Sequence, residues 1–98
     1  MQLDKNKIRH LKVLAHSRKP VVMVGQKGLT ENVIKEASIA LDHHELIKIK
    51  VSVGDREQRK SIIASLCQQT GSDCIQQIGN IAVLFLRNQK NPVIVFPE

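Results

Sequence analysis

The sequence predicts an α/β (α+β) fold in which three helices pack on a four-stranded mixed sheet as two layers. Apolar residues recur with the period of a helix in three segments and with that of a strand in four others. These segments follow one another in the order α-β-α-β-α-β-β, which is typical of parallel strands joined by crossover helices, with a final hairpin that adds an antiparallel strand. At 98 residues, the chain is expected to fold as one domain.

Each predicted helix starts at a residue whose side-chain oxygen can accept a hydrogen bond from a free N–H group of the first turn. These N-cap residues are Asp4, Thr30 and Asp55. Gln58, three residues after Asp55, completes a variant of the capping box. The helices are expected to end at about Ser17, at about His43 and at Gly71, where glycine suits the left-handed conformation of a helix C-terminus.

The predicted strands are residues 21–24, 45–53, 74–78 and 81–86. Because all four residues of the first strand are apolar, this strand is expected to be buried on both faces of the sheet. In the second strand, apolar residues alternate with Lys48, Lys50 and Ser52, which points the two sets to opposite faces. Gly79-Asn80 predicts a two-residue hairpin turn between the last two strands. The tail, residues 88–98, could add an edge strand or lie against the core.

The charge balance favours a polyanionic partner. Fifteen Lys and Arg against nine Asp and Glu give a net charge of +6, which suits nucleic acid first and an anionic membrane surface second, although such charge also serves solubility alone. No apolar run approaches the ~20 residues of a membrane span, and residues 1–5 lack the apolar core of a signal peptide, so the protein is expected in the cytoplasm. With two Phe and no Trp or Tyr, the chain cannot build an aromatic platform for bases, which leaves contact through backbone charge and shape.

The loop Gly25-Gln26-Lys27-Gly28 allows two interpretations. Its glycines can serve a tight strand-to-helix connection and nothing more. They can also leave room for a phosphate beside a helix N-terminus, where free N–H groups favour an anion, although Glu31 adds a competing negative charge. A nucleotide-hydrolase loop is excluded, because only two residues separate the glycines and Leu29 follows where that motif needs Lys.

Basic residues are spaced along the first helix and beside the first strand. Lys5, Arg9, Lys12 and His16 recur every three or four residues and form one helical stripe. Arg18 and Lys19 precede the first strand and Lys27 follows it, so a phosphate track along that edge is geometrically possible; a solvated surface is the alternative interpretation. Arg56, Arg59 and Lys60 cluster at the start of the third helix, and Lys48 and Lys50 share one face of the second strand.

Residue spacings that would indicate catalysis or metal binding are lacking. The four His residues show no zinc-protease spacing, and no Ser lies in a nucleophile-elbow context. Cys67 and Cys74 fit no common zinc spacing, and both are expected to be buried thiols rather than a disulfide. We therefore expect no catalytic residue, no metal, no cofactor and no small-molecule substrate.

The segment RKPVVMVGQKGLTENVI, followed by ELIKIKV, GDRE and IGNIAVLFLR, resembles the CRM domain and its stand-alone bacterial YhbY-like members over residues 3–87. The resemblance implies a single domain like the C-terminal domain of bacterial translation initiation factor three, with the last strand inside the sheet and antiparallel to the others. It also implies RNA binding in the maturation of large-ribosomal-subunit precursors. The family's RNA contact carries over to Gly25, Gln26, Lys27 and Gly28, and less directly to Arg18 and Lys19.

The helix-one residues Lys5, Arg9 and Lys12 would extend this contact along the RNA backbone. An alternative function is a ribosome-associated adaptor whose basic surface meets a protein, with RNA contact incidental. Ribosomal RNA or a large-subunit precursor is the expected partner, and neither a membrane nor a small molecule is.

Overall fold

The computed structural model describes residues 2–97, which form three helices and four strands in the predicted order. The helices are α1 (Lys5–His16), α2 (Glu31–His44) and α3 (Arg56–Thr70). The strands are β1 (Pro20–Val24), β2 (Leu46–Val51), β3 (Asp73–Ile78) and β4 (Ile81–Phe85). No helix within residues 2–97 combines the length and the apolar character that a membrane span requires.

The strands form one mixed sheet in the spatial order β1-β2-β4-β3. β1 and β2 are parallel, whereas β4 lies between β2 and β3 and is antiparallel to both. The interior, antiparallel position of the last strand, which the family resemblance implied, is therefore confirmed, as is the mixed α/β fold class. β4 can occupy this position because it is apolar throughout and its last four residues, 82–85, are buried.

Opposite faces of the sheet carry two separate apolar clusters. The major core lies under α2 and α3 and is formed by Val22, Val24, Ala37, Leu41, Ile47, Ile49, Val51, Ile63, Leu66, Ala82 and Leu84. The minor core lies under α1 and the tail and is formed by Leu11, Ala15, Leu46, Val83, Phe85 and Ile94. The structure therefore has the two predicted layers, the sheet and the helices α2 and α3 packed on it. On the other face, α1 and the tail form a partial third layer.

The predicted burial of β1 on both faces is wrong. Val22 and Val24 are buried in the major core, but Val21 and Met23 are each 54% exposed. β1 is an edge strand, and the residues that pack against α1 on that face come from the other strands. The four consecutive apolar residues therefore do not indicate a strand covered on both sides.

All three predicted N-caps are confirmed. Asp4 accepts from the N–H of Lys7 at 2.9 Å, and Thr30 accepts from the N–H of Val33 at 3.2 Å. At α3, Asp55 and Gln58 bond reciprocally to each other's backbone N–H, which completes the capping box. Gly71 ends α3 in the left-handed conformation, as predicted.

The predicted start of the second strand at Glu45 is wrong. Glu45 is the C-cap of α2, with a φ of 61°, and β2 begins one residue later. Its side chain is completely buried, and its carboxylate oxygens accept hydrogen bonds from the backbone N–H groups of Asn88, Val93 and Ile94. These bonds hold the positive-φ position although the residue is not glycine.

The tail lies against the core and adds no strand within residues 88–97. Ile94 is buried in the minor core, and Phe96 packs edge-on against Phe85 with ring centroids 5.9 Å apart. The carbonyl oxygen of Val95 lies 2.9 Å from the Nε2 atom of His10.

Both cysteines are free: Cys67 is half-buried, but Cys74 is exposed, so the prediction that both are buried is wrong for Cys74.

Candidate nucleic-acid interface

The GQKG loop is a tight turn between β1 and α2. The N–H of Gly28 donates to the carbonyl of Gly25 at 2.9 Å, and Gly28 has a φ of +73°. Gln26 and Lys27, at the two central positions, are both exposed. The turn therefore presents two polar side chains and unshielded backbone directly before the N-terminus of α2.

Gly25 has no conformational or steric reason to be glycine. Its φ is not positive, and a Cβ atom built on it would meet no heavy atom within 4 Å. Gly54, in the next loop, is different, because a Cβ there would lie 2.2 Å from the Gln58 side chain. A missing side chain that the fold does not require is expected where another molecule must approach the backbone.

Three loops meet at the end of the sheet that carries the GQKG turn. The N–H of Ser52 donates to the carbonyl of Val24 at 2.9 Å, which joins the end of β2 to the end of β1. The N–H of Val51 donates to the carbonyl of Asn80 at 2.7 Å, which brings in the β3–β4 turn. We call this region, residues 25–28, 52–55 and 79–80, the loop end of the molecule.

Two clefts open at the loop end, on either side of the first turns of α3. The first, of about 650 Å³, lies between the GQKG loop and α3 and is lined by Gln26, Gly28, Ser52, Val53, Gly54, Gln58, Ser61 and Ile62. The second, of about 530 Å³, lies between α3 and the β3–β4 turn and is lined by Arg56, Glu57, Arg59, Lys60, Gln77 and Gly79. A neutral polar cleft and a predominantly basic one therefore flank the same helix N-terminus.

The basic surface is not neutralised within the molecule. Arg87 pairs with Glu45 at 3.3 Å, and no other Lys or Arg of residues 2–97 forms an ion pair with a carboxylate. Arg59 is partly engaged, since its guanidinium donates to the carbonyl of Gly54 at 2.8 Å. Lys27, Arg56 and Lys60 are exposed and face solvent at or beside the loop end.

The predicted site residues do not form one patch. Lys27 follows β1 and lies at the loop end, whereas Arg18 and Lys19 precede β1, so the strand separates them by roughly 16 Å. Arg18 is half-buried, and its guanidinium donates to the carbonyl of Leu46 at the start of β2. This bond gives Arg18 a structural role at the opposite end of the sheet.

The helix-one stripe lies on the face of the sheet opposite α2 and α3. Lys5, Arg9 and Lys12 are all exposed there, as the helical spacing predicts. Lys12 borders a cleft between α1 and the sheet, where it lies near Lys48. The stripe is therefore a second basic surface, distinct from the loop end.

The basic residues of α3 were recognised in the sequence as a group but not as neighbours of the GQKG loop. Arg56 and Lys60 reach the loop end because β1 and β2 are parallel, so that α2 and α3 both begin at the same end of the sheet. The sequence signal for this arrangement is the alternation of strands and helices, because successive crossover units place their helix N-termini at the same end of the sheet.

No constellation for metal binding occurs among the described residues. No group of three or more His, Cys, Asp or Glu side chains in residues 2–97 is placed to hold a metal ion. Burial raises the pKa of the Cys67 thiol, an effect that the hydrogen bond from Ser72 opposes, so the thiol is not activated as a nucleophile.

The fold and the loop end define a class, a small α/β domain that displays a glycine turn and unpaired basic side chains at the N-termini of two parallel helices. The model of the CRS1/YhbY (CRM) domain matches residues 3–85. The chain belongs to this family.

Relatives cover three quarters of the chain or more. A probable RNA-binding protein of Pseudomonas aeruginosa is 39% identical over 90 residues, which are 92% of this chain and 86% of that protein. An RNA-binding protein of Haemophilus influenzae is 51% identical over 75 residues, 76% of each chain. A solution structure of a candidate RNA-binding protein from Staphylococcus aureus superposes with a TM-score of 0.82 at 31% identity, covering 98% of this chain and all of that one.

Proposed function

We propose that this protein is a non-catalytic RNA-binding protein that contacts the RNA backbone through the GQKG loop. The observation that carries the proposal is Gly25, a glycine that neither its backbone conformation nor its surroundings require. Its missing side chain leaves room for a phosphate beside the exposed Lys27. Membership of the family, together with the Pseudomonas and Haemophilus relatives that are named as RNA-binding proteins, supports the RNA-binding part of the proposal.

The loop end offers three kinds of donor to a phosphate. The first turn of α2 supplies free N–H groups and the positive end of a helix dipole. Lys27 supplies a mobile charge, and Arg56 and Lys60 extend the positive surface across the start of α3. Glu31 and Glu57, in the first turns of α2 and α3, offset part of this attraction and restrict where the backbone can pass.

The helix-one stripe would hold a second stretch of the same RNA. Lys5, Arg9 and Lys12 lie on another face of the domain, so a ligand that reaches both surfaces must bend around it. A structured RNA meets this requirement more readily than a short extended strand. This geometry supports a folded ribosomal RNA, or a precursor of the large subunit in the cytoplasm, as the partner.

A ribosome-associated adaptor is the second candidate function, and one observation favours it. β1 is an edge strand with Val21 and Met23 each 54% exposed, so it offers apolar surface and unpaired backbone groups to a protein strand. In that case the basic surface would only assist association with the ribosome.

Crosslinking in cells, followed by sequencing of the attached RNA, separates the two functions. We expect the wild type to crosslink to RNA of the large subunit or its precursor, and Gly25→Asp to lose most of this signal. Ser38→Asp, which adds the same charge on the exposed surface of α2, should behave as the wild type. Equal crosslinking by Gly25→Asp and Ser38→Asp would refute the loop contact, and crosslinks to protein alone would favour the adaptor.

A further inference from the structure

The α1 face of the sheet contains a cleft that the loop end does not explain. α1 covers only part of this face, and a cleft of about 240 Å³ remains between its C-terminal half and strands β2, β4 and β3. The buried residues Ala15 and Val83 lie at the boundary of the cleft with the minor core. The floor of the cleft is therefore formed by packed residues of a helix and a strand rather than by loops.

The walls of this cleft carry two apolar side chains that belong to neither core. Ile78, at the end of the edge strand β3, is 67% exposed and belongs to neither apolar cluster. Ile81, paired with Ile78 across the β3–β4 hairpin, is half-buried and lines the same cleft. The fold gains little from the apolar side chain of Ile78, since most of it is exposed, and Ile81 lies outside both apolar clusters.

The rim of the cleft is polar and available for a ligand. Lys12 and His16 border it from α1, and Lys48 borders it from β2. Gln76, on β3, contributes an amide that can both donate and accept. None of these four side chains forms a hydrogen bond or ion pair within residues 2–97.

Lys48 lies on an interior strand of the sheet. Lys48 is paired with Pro20 on one side and with Val83 on the other, so its backbone lies within the sheet. An apolar side chain at this position would extend the minor core under α1. The lysine instead places an ammonium group beside an apolar cleft, which suits a ligand that has both a flat apolar part and negative charge.

We propose that this cleft binds the base of one unpaired nucleotide in the RNA, with Ile78 and Ile81 against the face of the base and Lys12 and Lys48 on the adjoining phosphates. The inference rests on the proposed RNA binding and adds a preference for RNA that contains unpaired nucleotides. The volume falls below the ~300 Å³ at which pockets for drug-sized ligands begin, which matches one base rather than a stacked pair.

Gln76 gives the cleft a means of reading the edge of the base. Its amide can pair with a donor and an acceptor at once, as amide side chains do with base edges. The aliphatic walls substitute for the aromatic platforms that the chain cannot supply, since apolar side chains also hold bases that have left the stack. Unpaired bases in loops and bulges are the parts of a folded RNA that can enter such a cleft.

The test uses Ile78→Asp and a control of equal charge. Ile78 is exposed, so the substitution is expected to leave the fold intact, and Ile39→Asp places the same charge on the exposed side of α2, across the sheet. The affinity of each variant is measured for a short single-stranded RNA that contains all four bases and for a blunt RNA duplex of the same length. Circular dichroism confirms that both variants are folded.

We expect Ile78→Asp to weaken binding of the single strand about tenfold more than Ile39→Asp does, with no such difference for the duplex. An equal effect of the two variants on both RNAs would overturn the cleft while leaving the proposed function intact. Absence of binding by the wild type to these two RNAs and to a folded fragment of large-subunit RNA would overturn both. Unchanged RNA affinity of Ile78→Asp, together with loss of a protein from the crosslinked complexes, would assign the cleft to a protein partner instead.

Discussion

At the residue scale, Glu45 connects three parts of the chain through one carboxylate. It ends α2, its backbone carbonyl accepts from the N–H of Leu86 at 2.9 Å, and its side chain binds the tail. Burial by itself would raise the pKa of this carboxyl. The N–H groups of Ile94, Asn88 and Val93, together with the charge of Arg87, outweigh burial, so the pKa lies below its ordinary value of 4.5. Glu45 is therefore ionised at neutral pH although it is completely buried.

The lowered pKa of Glu45 predicts a component of acid denaturation. Because the folded carboxyl has a lower pKa than the unfolded one, its contribution to stability is complete above pH 4.5 and is lost as the pH falls through the folded pKa. Glu45→Gln removes this component, so its unfolding free energy should fall less steeply below pH 4.5 than that of the wild type. Urea denaturation over a series of pH values measures this slope.

Glu36→Gln is the matched control for this titration. Glu36 is exposed on α2, and its substitution should leave the slope as in the wild type. If Glu45→Gln and the wild type lost stability in parallel below pH 4.5, the assigned role of the buried carboxylate would be wrong.

Local sequence was sufficient for the helix caps but not for Glu45. Asp4, Thr30 and Asp55 each bond to a backbone group three residues away, so the motif and its partner lie in the same short segment. Glu45 bonds to residues 43 to 49 positions later, which no spacing rule connects to it. The alternation that begins after it, with Ile47 and Ile49 against Lys48 and Lys50, led the prediction to extend the strand back to Glu45.

At the scale of elements, type and order followed from periodicity, whereas burial depended on sheet topology. The strand residues 21–24 are apolar throughout, but the position of β1 at the edge exposes Val21 and Met23. The tail could not be placed from sequence because it forms no periodic element. Its position depends on long-range contacts, among them those to Glu45, His10 and Phe85.

The docking of the tail can be tested at Phe96. This ring packs on Phe85 and lies under the Arg87 guanidinium, 5.4 Å from the ring centroid. Phe96→Ala should lower the unfolding free energy by about 1–2 kcal/mol, through lost burial and a lost aromatic pair. Val95→Ala, one residue away at an 82% exposed side chain, should change it by less than about 0.5 kcal/mol. Equal urea midpoints for the two variants would show that the tail contributes nothing through its aromatic contact.

At the scale of the whole molecule, the fold separates the basic residues into two surfaces. Parallel β1 and β2 bring Lys27, Arg56 and Lys60 to the loop end, while the position of α1 on the other face carries Lys5, Arg9 and Lys12 away from it. Sequence spacing predicted each group but not their mutual arrangement, because that depends on strand order and on which face α1 covers. Arg18 illustrates this limit, since its guanidinium is used within the sheet.

The central claim, that Lys27 and the loop contact RNA phosphates, is tested most directly by the salt dependence of binding to a purified fragment of large-subunit RNA. With four phosphate contacts, log K for the wild type should fall with log salt at a slope of about −3 where the contacted RNA is single-stranded and closer to −4 where it is helical. Lys27→Ala should weaken binding and reduce the magnitude of this slope by about one. Lys90→Ala, which removes an exposed charge beside the C-terminal end of α2, should leave both unchanged. Identical affinities and slopes for the wild type and Lys27→Ala would contradict the proposed contact.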